Sequence, residues 1–158
     1  EHRYSTGFTI NETERLADRE FDIRFHRLSP SFNYQLNRRI RLTTSYTYQN
    51  KRNRSAIDSL QAKLRAHRVA IEGNINLKER NSFRLRIEGL NNQLAGMPNQ
   101  TARFELLEGL ENGNNLIANA TLTWYLTEVL ELSMVYDGRF AAKRPTIHSG
   151  RVQLRAIF

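Results

Sequence analysis

The sequence predicts an all-β fold whose antiparallel strands run up and down in chain order. Three observations carry that expectation. Polar and apolar residues alternate through most of the chain, tight interruptions take turns with long polar joins, and the chain closes on an alternating segment, "RVQLRAIF". Side chains of a strand point to opposite faces in succession, so period-two alternation marks a two-faced strand.

Taken in order, the pattern places eight strands at about 3–12, 19–34, 39–50, 62–77, 82–92, 102–125, 129–141 and 146–158. The first, in "EHRYSTGFTI", lacks the charged start and apolar stretch of a signal peptide and reads as a mature end or the cut edge of a longer chain. In the second, the apolar phase moves from Phe21, Ile23 and Phe25 to Leu28, Phe32 and Tyr34, which predicts a bulge before Pro30. The third sets Ile40, Leu42, Thr44, Tyr46 and Tyr48 against Arg41, Thr43, Ser45 and Thr47. The fourth sets Val69, Ile71, Ile75 and Leu77 against Arg68, Glu72, Asn74 and Asn76. The fifth sets Phe83, Leu85 and Ile87 against Arg84, Arg86 and Glu88.

The sixth is long and interrupted by Gly109 and Gly113, so it reads as one bulged strand or as two, the latter raising the total to nine. The seventh sets Leu130, Leu132, Met134, Tyr136 and Phe140 against Glu131, Ser133, Asp137 and Arg139, with Val135 on the polar side. The eighth sets Val152, Leu154, Ala156 and Phe158 against Arg151, Gln153 and Arg155. Short turns are expected at 35–38, 78–81 and 126–129, and longer joins around 50–61, 91–100 and 141–145. One segment, "SAIDSLQAKLRAH", is a helix candidate.

Composition narrows the classes. At 158 residues the chain suits a single domain over 1–158. It has no cysteine, which excludes disulfides, thiol nucleophiles and cysteine-ligated metals. No apolar run approaches the roughly 20 residues of a spanning helix. The basic excess, 24 Lys and Arg against 16 Asp and Glu, is almost all arginine; Lys51, Lys63, Lys78 and Lys143 are the exceptions. Arginine suits paired, partly buried networks better than lysine does.

Alternation also fits a soluble sandwich, so other features must choose between the two. Strands of this length match the roughly 9–11 residues of a tilted membrane crossing. The polar face carries Arg24, Arg41, Arg68, Arg84, Arg86, Arg139, Arg151 and Arg155 with Asp22, Glu72, Glu88, Glu131 and Asp137, a set able to pair inside a barrel. Tyr4, Phe32, Tyr34, Phe83, Trp124 and Phe158 gather near the short turns, as membrane-interface aromatics do. The expectation is an up-and-down transmembrane β-barrel of about eight strands, or the C-terminal part of a larger one.

The stretch from "FELLEGLENGNN" through "TWYLTEVLELSMVYDGR" to "IHSGRVQLRAIF" resembles the C-terminal barrel strands of large outer-membrane proteins of Bacteroidota. The resemblance lies in Gly109 to Asn114, with Asn114 or Asn115 as the asparagine of a Gly-Leu-x-x-Gly-x-Asn run, in Tyr136 to Arg139, and in His148 to Phe158. It covers the last 55 or so residues well, and "LSPSFNYQLNRRIRLTTSYTY" more loosely. The resemblance implies residence in a Gram-negative outer membrane, contact with outer-membrane lipid, and handling by the barrel-assembly machinery during biogenesis. In that setting Val152, Leu154, Ala156 and Phe158 form the assembly signal. It further implies neighbouring outer-membrane or periplasmic subunits, while the arginine-rich face argues against nucleic acid as a partner.

Site chemistry is expected to be sparse, with no catalytic, cofactor-binding or metal-binding residues. His26, His67 and His148 lack metal-ligand spacing. Ser133 and Asp137 share a face that His148 does not, which argues against a hydrolytic triad. Glu131 and Asp137 are roughly 20 Å apart at strand rise, too far for a glycosidase pair. The tripeptide Asp58 to Leu60 resembles a Bacteroidota O-glycosylation site. The expected role is a non-enzymatic membrane anchor or component of an outer-membrane complex, with a porin-like arginine-lined passage or a salt-bridged plug inside it. Two alternatives are a soluble basic β-protein that binds nucleic acid and an outer-membrane barrel enzyme.

Overall fold

The computed structural model of the chain describes residues 2–11, 21–53, 61–78, 80–96, 98, 100–141 and 144–156. They form β1 (His2–Asn11), β2 (Phe21–Gln35), β3 (Ile40–Asn53), β4 (Ala62–Lys78), β5 (Asn81–Gly96), α1 (Gln100–Leu107), β6 (Gly113–Thr127), β7 (Leu130–Ala141) and β8 (Arg144–Ala156). All eight strands belong to one sheet in chain order, from β1 to β8, and among the described residues β8 is not paired with β1. The all-β, up-and-down expectation therefore holds for the sheet.

Two ladders show how the register is held. In β1–β2 the antiparallel pairing runs without interruption from His2 opposite Pro30 to Asn11 opposite Phe21. In β7–β8 it runs from Leu130 opposite Ala156 to Arg139 opposite Ile147, with an irregularity only between Arg139 and Ala141. Pro30 stands opposite the first residue of β1, the end of the ladder, where a missing N–H costs least.

Three expectations need correction. The interval 102–125 is neither one bulged strand nor two: its first part is α1, and β6 begins only at Gly113. The helix candidate around 55–67 is strand from Ala62 onward, while 54–60 lie outside the described residues, as does the Asp58 to Leu60 tripeptide. The β1–β2 ladder shows no bulge before Pro30, its register being continuous there. The phase change has another cause, which lies in what covers each face of β2.

Contacts group the chain into two compact units, one of Glu1–Pro30, Tyr46–Arg68 and Leu90–Asn115, the other of Ser31–Ser45, Val69–Gly89 and Leu116–Phe158. The first unit contains the apolar core. There Ala102, Leu106 and Leu107 of α1 pack with Ile23 of β2 and with Ala62, Leu64 and Ala66 of β4, and Leu94 of β5 joins them. Alanines on β4 leave room for the helix to approach the strand, and Leu64 and Leu106 fill the space between. Ile23 thus faces α1, whereas Leu28, one strand face away, is 46% exposed.

An eight-residue helix has little stability of its own, and α1 has no basic residue in its last turn to meet the partial negative charge of its carbonyl end. The sheet supplies one: Lys51 Nζ of β3 donates to the Glu105 carbonyl at 3.3 Å. The chain leaves the helix through left-handed backbone at Glu108 and Gly109, with Gly109 N bonded to Phe104 O at 3.0 Å and Leu110 N to Leu107 O at 3.0 Å. A cluster of asparagines then holds the return into β6. Asn115, buried, donates to the carbonyls of Glu111 (2.8 Å) and Gly113 (3.1 Å) and accepts from Glu111 N (3.2 Å). Asn92 Nδ2 donates to the Glu111 carbonyl at 3.2 Å, and Leu94 N donates to Asn112 Oδ1 at 2.9 Å. Of the two asparagines left open by the sequence, Asn115 is the one that shapes the turn; Asn114 is exposed and bonds to Asn91.

Leu106 is fully enclosed and belongs to the small contact that fixes α1. Leu106→Ala should lower the unfolding free energy by about 2–5 kcal/mol, read by denaturant titration of wild type and variant under identical conditions.

Candidate functional site

The strands present two contrasting rows of side chains, one ion-paired and one apolar. In the first unit, the face that carries α1 also carries an ionic hub centred on Glu108. Lys51 Nζ lies 2.9 Å from Glu108 Oε1, Arg68 Nη2 3.0 Å from Oε2, and Arg27 Nη2 3.4 Å from Oε1. Three strands, β2, β3 and β4, thereby converge on one carboxylate just past the end of α1. Lys51 is itself buried, which makes its pairing obligatory rather than optional. Burial exerts the largest single effect on Glu108 and pushes its pKa up, but the hydrogen bond and charge of Lys51, joined by Arg68, outweigh it and hold the carboxyl below its ordinary range.

In the second unit, charges pair along and across strands. Glu72 of β4 meets Arg86 at 3.4 Å and Arg84 at 3.7 Å, and Arg86 also meets Glu88 at 2.7 Å. Glu131 of β7 meets Arg155 of β8 at 2.8 Å, directly across the ladder. Asn119 of β6 donates to Asp137. These pairs occupy alternate positions, so each strand's remaining positions form an opposite row. That row holds Leu85 and Ile87 on β5, Trp124 and Leu126 on β6, Met134 and Tyr136 on β7, and Val152 and Leu154 on β8, all at least 38% exposed.

Of the arginines expected on the ionic face, Arg68, Arg84, Arg86 and Arg155 make the pairs just described. Arg41 lines a cleft with Arg84, Arg151 stands opposite Val135, and Arg139 stands opposite Ile147. Arg24 is a correction. It alternates with Ile23, whose side chain packs under α1, so Arg24 and its 3.5 Å partner Asp22 lie on the other face of β2. Arg27 takes the place on the hub side that Arg24 was expected to hold.

Among the aromatics, Phe32, Tyr34 and Trp124 are exposed at 67%, 51% and 41%, and Phe83 is partly buried. Tyr4 stands opposite Leu28 in the β1–β2 register, and Phe158 lies outside the described residues. In the terminal segment, Leu154 stands opposite Leu132, Val152 opposite Met134 and Ala156 opposite Leu130. His148 is on the apolar row, where its Nδ1 is 2.8 Å from the Tyr136 hydroxyl and its ring meets Phe140 edge-on. Ser133 and Asp137 are on the alternate positions, so these three do not converge. A similar pair joins Tyr46 to His67 Nδ1 at 2.7 Å in the first unit.

Lys51 and Glu108 were not singled out from the sequence. Lys51 sat in a stretch that reads as a polar join, and Glu108 in an interval that reads as strand. A buried lysine three residues past the end of a run of β alternation leaves no periodic trace; only the glycine after Glu108 hints at a helix end.

Glu108 carries a testable pH dependence. A carboxyl held below its ordinary pKa contributes stability that is fully present above its unfolded value and is lost as pH falls through its lower folded value. The stability gap between wild type and Glu108→Gln should therefore be widest at neutral pH and should shrink on acidification below about pH 4, measured by denaturant midpoints across pH. Comparison with protein-family models, with curated proteins and with solved structures gives no match.

Proposed function

We propose that this chain is an outer-membrane β-barrel, or the C-terminal strands of one, that serves as a non-enzymatic anchor or component of an outer-membrane complex in a Gram-negative bacterium of the Bacteroidota type. The observation that carries the proposal is the row of large apolar side chains left uncovered on strands whose alternate positions are ion-paired. Phe32, Val152 and Leu154 are 67%, 66% and 60% exposed. A water-soluble sheet would bury its apolar row and expose its charges. Here the paired carboxylates Glu88 and Glu131 are buried on β5 and β7, while Ile87 and Met134 beside them are exposed.

Strand length supports the same reading. β2 to β8 run from 12 to 17 residues, enough for a tilted crossing of a hydrocarbon layer that needs roughly 9–11. β8 ends the sheet order among the described residues and is exposed along Arg144–Ala156, so its outer edge would be available to a strand that closes or extends the barrel. Closure would be required in lipid, where unpaired backbone groups cost several kcal/mol each. On this reading α1 and the Glu108 hub act as an internal plug, which favours a filled interior over an open channel. Outer-membrane lipid, the assembly machinery that reads the terminal aromatic, and adjoining subunits are the partners.

Trp124 is the chain's single tryptophan and lies in the exposed row, three residues before the end of β6. When the chain is folded into phospholipid vesicles, its emission should shift to the blue and be quenched by lipids brominated near the head group. Unchanged emission and no quenching, with the protein remaining in the aqueous phase, would defeat the proposal.

A further inference from the structure

The turn between β2 and β3 builds a cleft that the anchor role does not use. Asn37 Oδ1 accepts from the backbone N–H of Arg39 (2.8 Å) and of Ile40 (2.9 Å), and Leu36 N donates to Ile40 O at 3.0 Å. This side-chain clasp fixes the turn, and Asn76 N, donating to the Arg39 carbonyl at 2.8 Å, ties β4 to it. Arg38 and Arg39 are thereby set at the edge of a polar cavity of about 340 Å³ whose wall includes Arg41, Arg84, Asn74 and Glu72.

The charge balance of that cavity is uneven. Four guanidinium groups face one carboxylate, and Glu72 is already committed: to Arg86 at 3.4 Å, to Arg84 at 3.7 Å and to Asn74 Nδ2 at 2.9 Å. Arg84 Nε is held in place by Asn74 Oδ1 at 2.8 Å. Among the described residues, Arg38, Arg39 and Arg41 have no carboxylate within ion-pairing distance, unlike the arginines of the paired rows. Guanidinium groups gathered around a small space, with amides between them, match the several acceptor oxygens of a phosphate group, because each guanidinium can donate two parallel N–H bonds to a pair of those oxygens.

We propose that this cleft is a binding site for a phosphate-class oxyanion, with Arg38, Arg39 and Arg41 as its free donors and Arg84, positioned by Asn74, as the fourth. The inference goes beyond the anchor role and does not depend on the chain's being in a membrane. The phosphate has two possible sources, a soluble polyphosphate or the head group of an acidic lipid, and both present the same oxygens.

The test is calorimetric titration of inorganic pyrophosphate into the full chain, folded in a zwitterionic detergent at low ionic strength. Wild type should bind one equivalent, and the combined Arg38→Gln, Arg39→Gln and Arg41→Gln variant should bind about tenfold more weakly or not at all. Arg151→Gln, a change of the same charge on β8, should bind as wild type does. If the combined variant fails to fold, Arg41→Gln alone should still weaken binding several-fold. Competition by micellar phosphatidic acid assigns the site to a lipid head group, and its failure to compete assigns the site to a soluble phosphate. No heat with wild type, or equal affinity in the wild type and the arginine variants, or an equal loss in Arg151→Gln, would overturn the proposal.

Discussion

A residue in a strand has only two faces to choose between, and the choice it makes obliges its neighbours two positions away to share it. This constraint governs the chain from β2 to β8. Where Glu131 pairs with Arg155, the register forces Leu132 opposite Leu154 and Met134 opposite Val152. Ion pairs therefore hold more than charge: by fixing which positions share the ionic face, they fix which aliphatic groups share the other. A slip of one residue would exchange the two rows, placing charges among the apolar groups and breaking each pair at once. The proposal of a lipid-facing surface follows from that coupling, because an obligate apolar row needs an apolar solvent.

Helix α1 is the one element that the alternation does not explain. It brings its own apolar side, Ala102, Leu106 and Leu107, to strand positions that would otherwise stay polar, and those positions respond with Ala62, Leu64, Ala66 and Ile23. The junction would be weak if it rested on eight residues of helix. It is completed by Glu108, which binds Lys51, Arg68 and Arg27 from three different strands. The buried Lys51 has two duties there, compensating the helix carbonyl end and meeting the carboxylate, so the hub links the placement of α1 to the pairing of the strands beneath it.

These two levels differ in how well they can be read from residues alone. Strands such as β3, β5 and β7 were legible because alternation is local: Leu85 and Ile87 against Arg84 and Arg86 needs no knowledge of the rest of the chain. The helix was not. Its apolar residues are few, Phe104 is exposed in their midst, and over eight residues a 3.6-residue period is hard to tell from the flanking strands. Without α1, nothing in the sequence explains why Ile23 and Leu28 take opposite faces of β2 or why Arg24 lies away from the hub. The cleft at Arg38, Arg39 and Arg41 was hidden for a different reason. The sequence shows three basic residues at a turn, while their lack of carboxylates depends on Glu72 being occupied by Arg84 and Arg86 from β5.

The most direct test of the central claim is an immunoblot of the source organism's outer-membrane fraction, run boiled and unboiled in detergent with an antibody against the segment around Arg54 to Ser59. A membrane barrel predicts that the antigen stays with the outer membrane and that its band moves on boiling, as a compact, closed sheet opens. An antigen found in the soluble fraction, with one mobility before and after boiling, would contradict it.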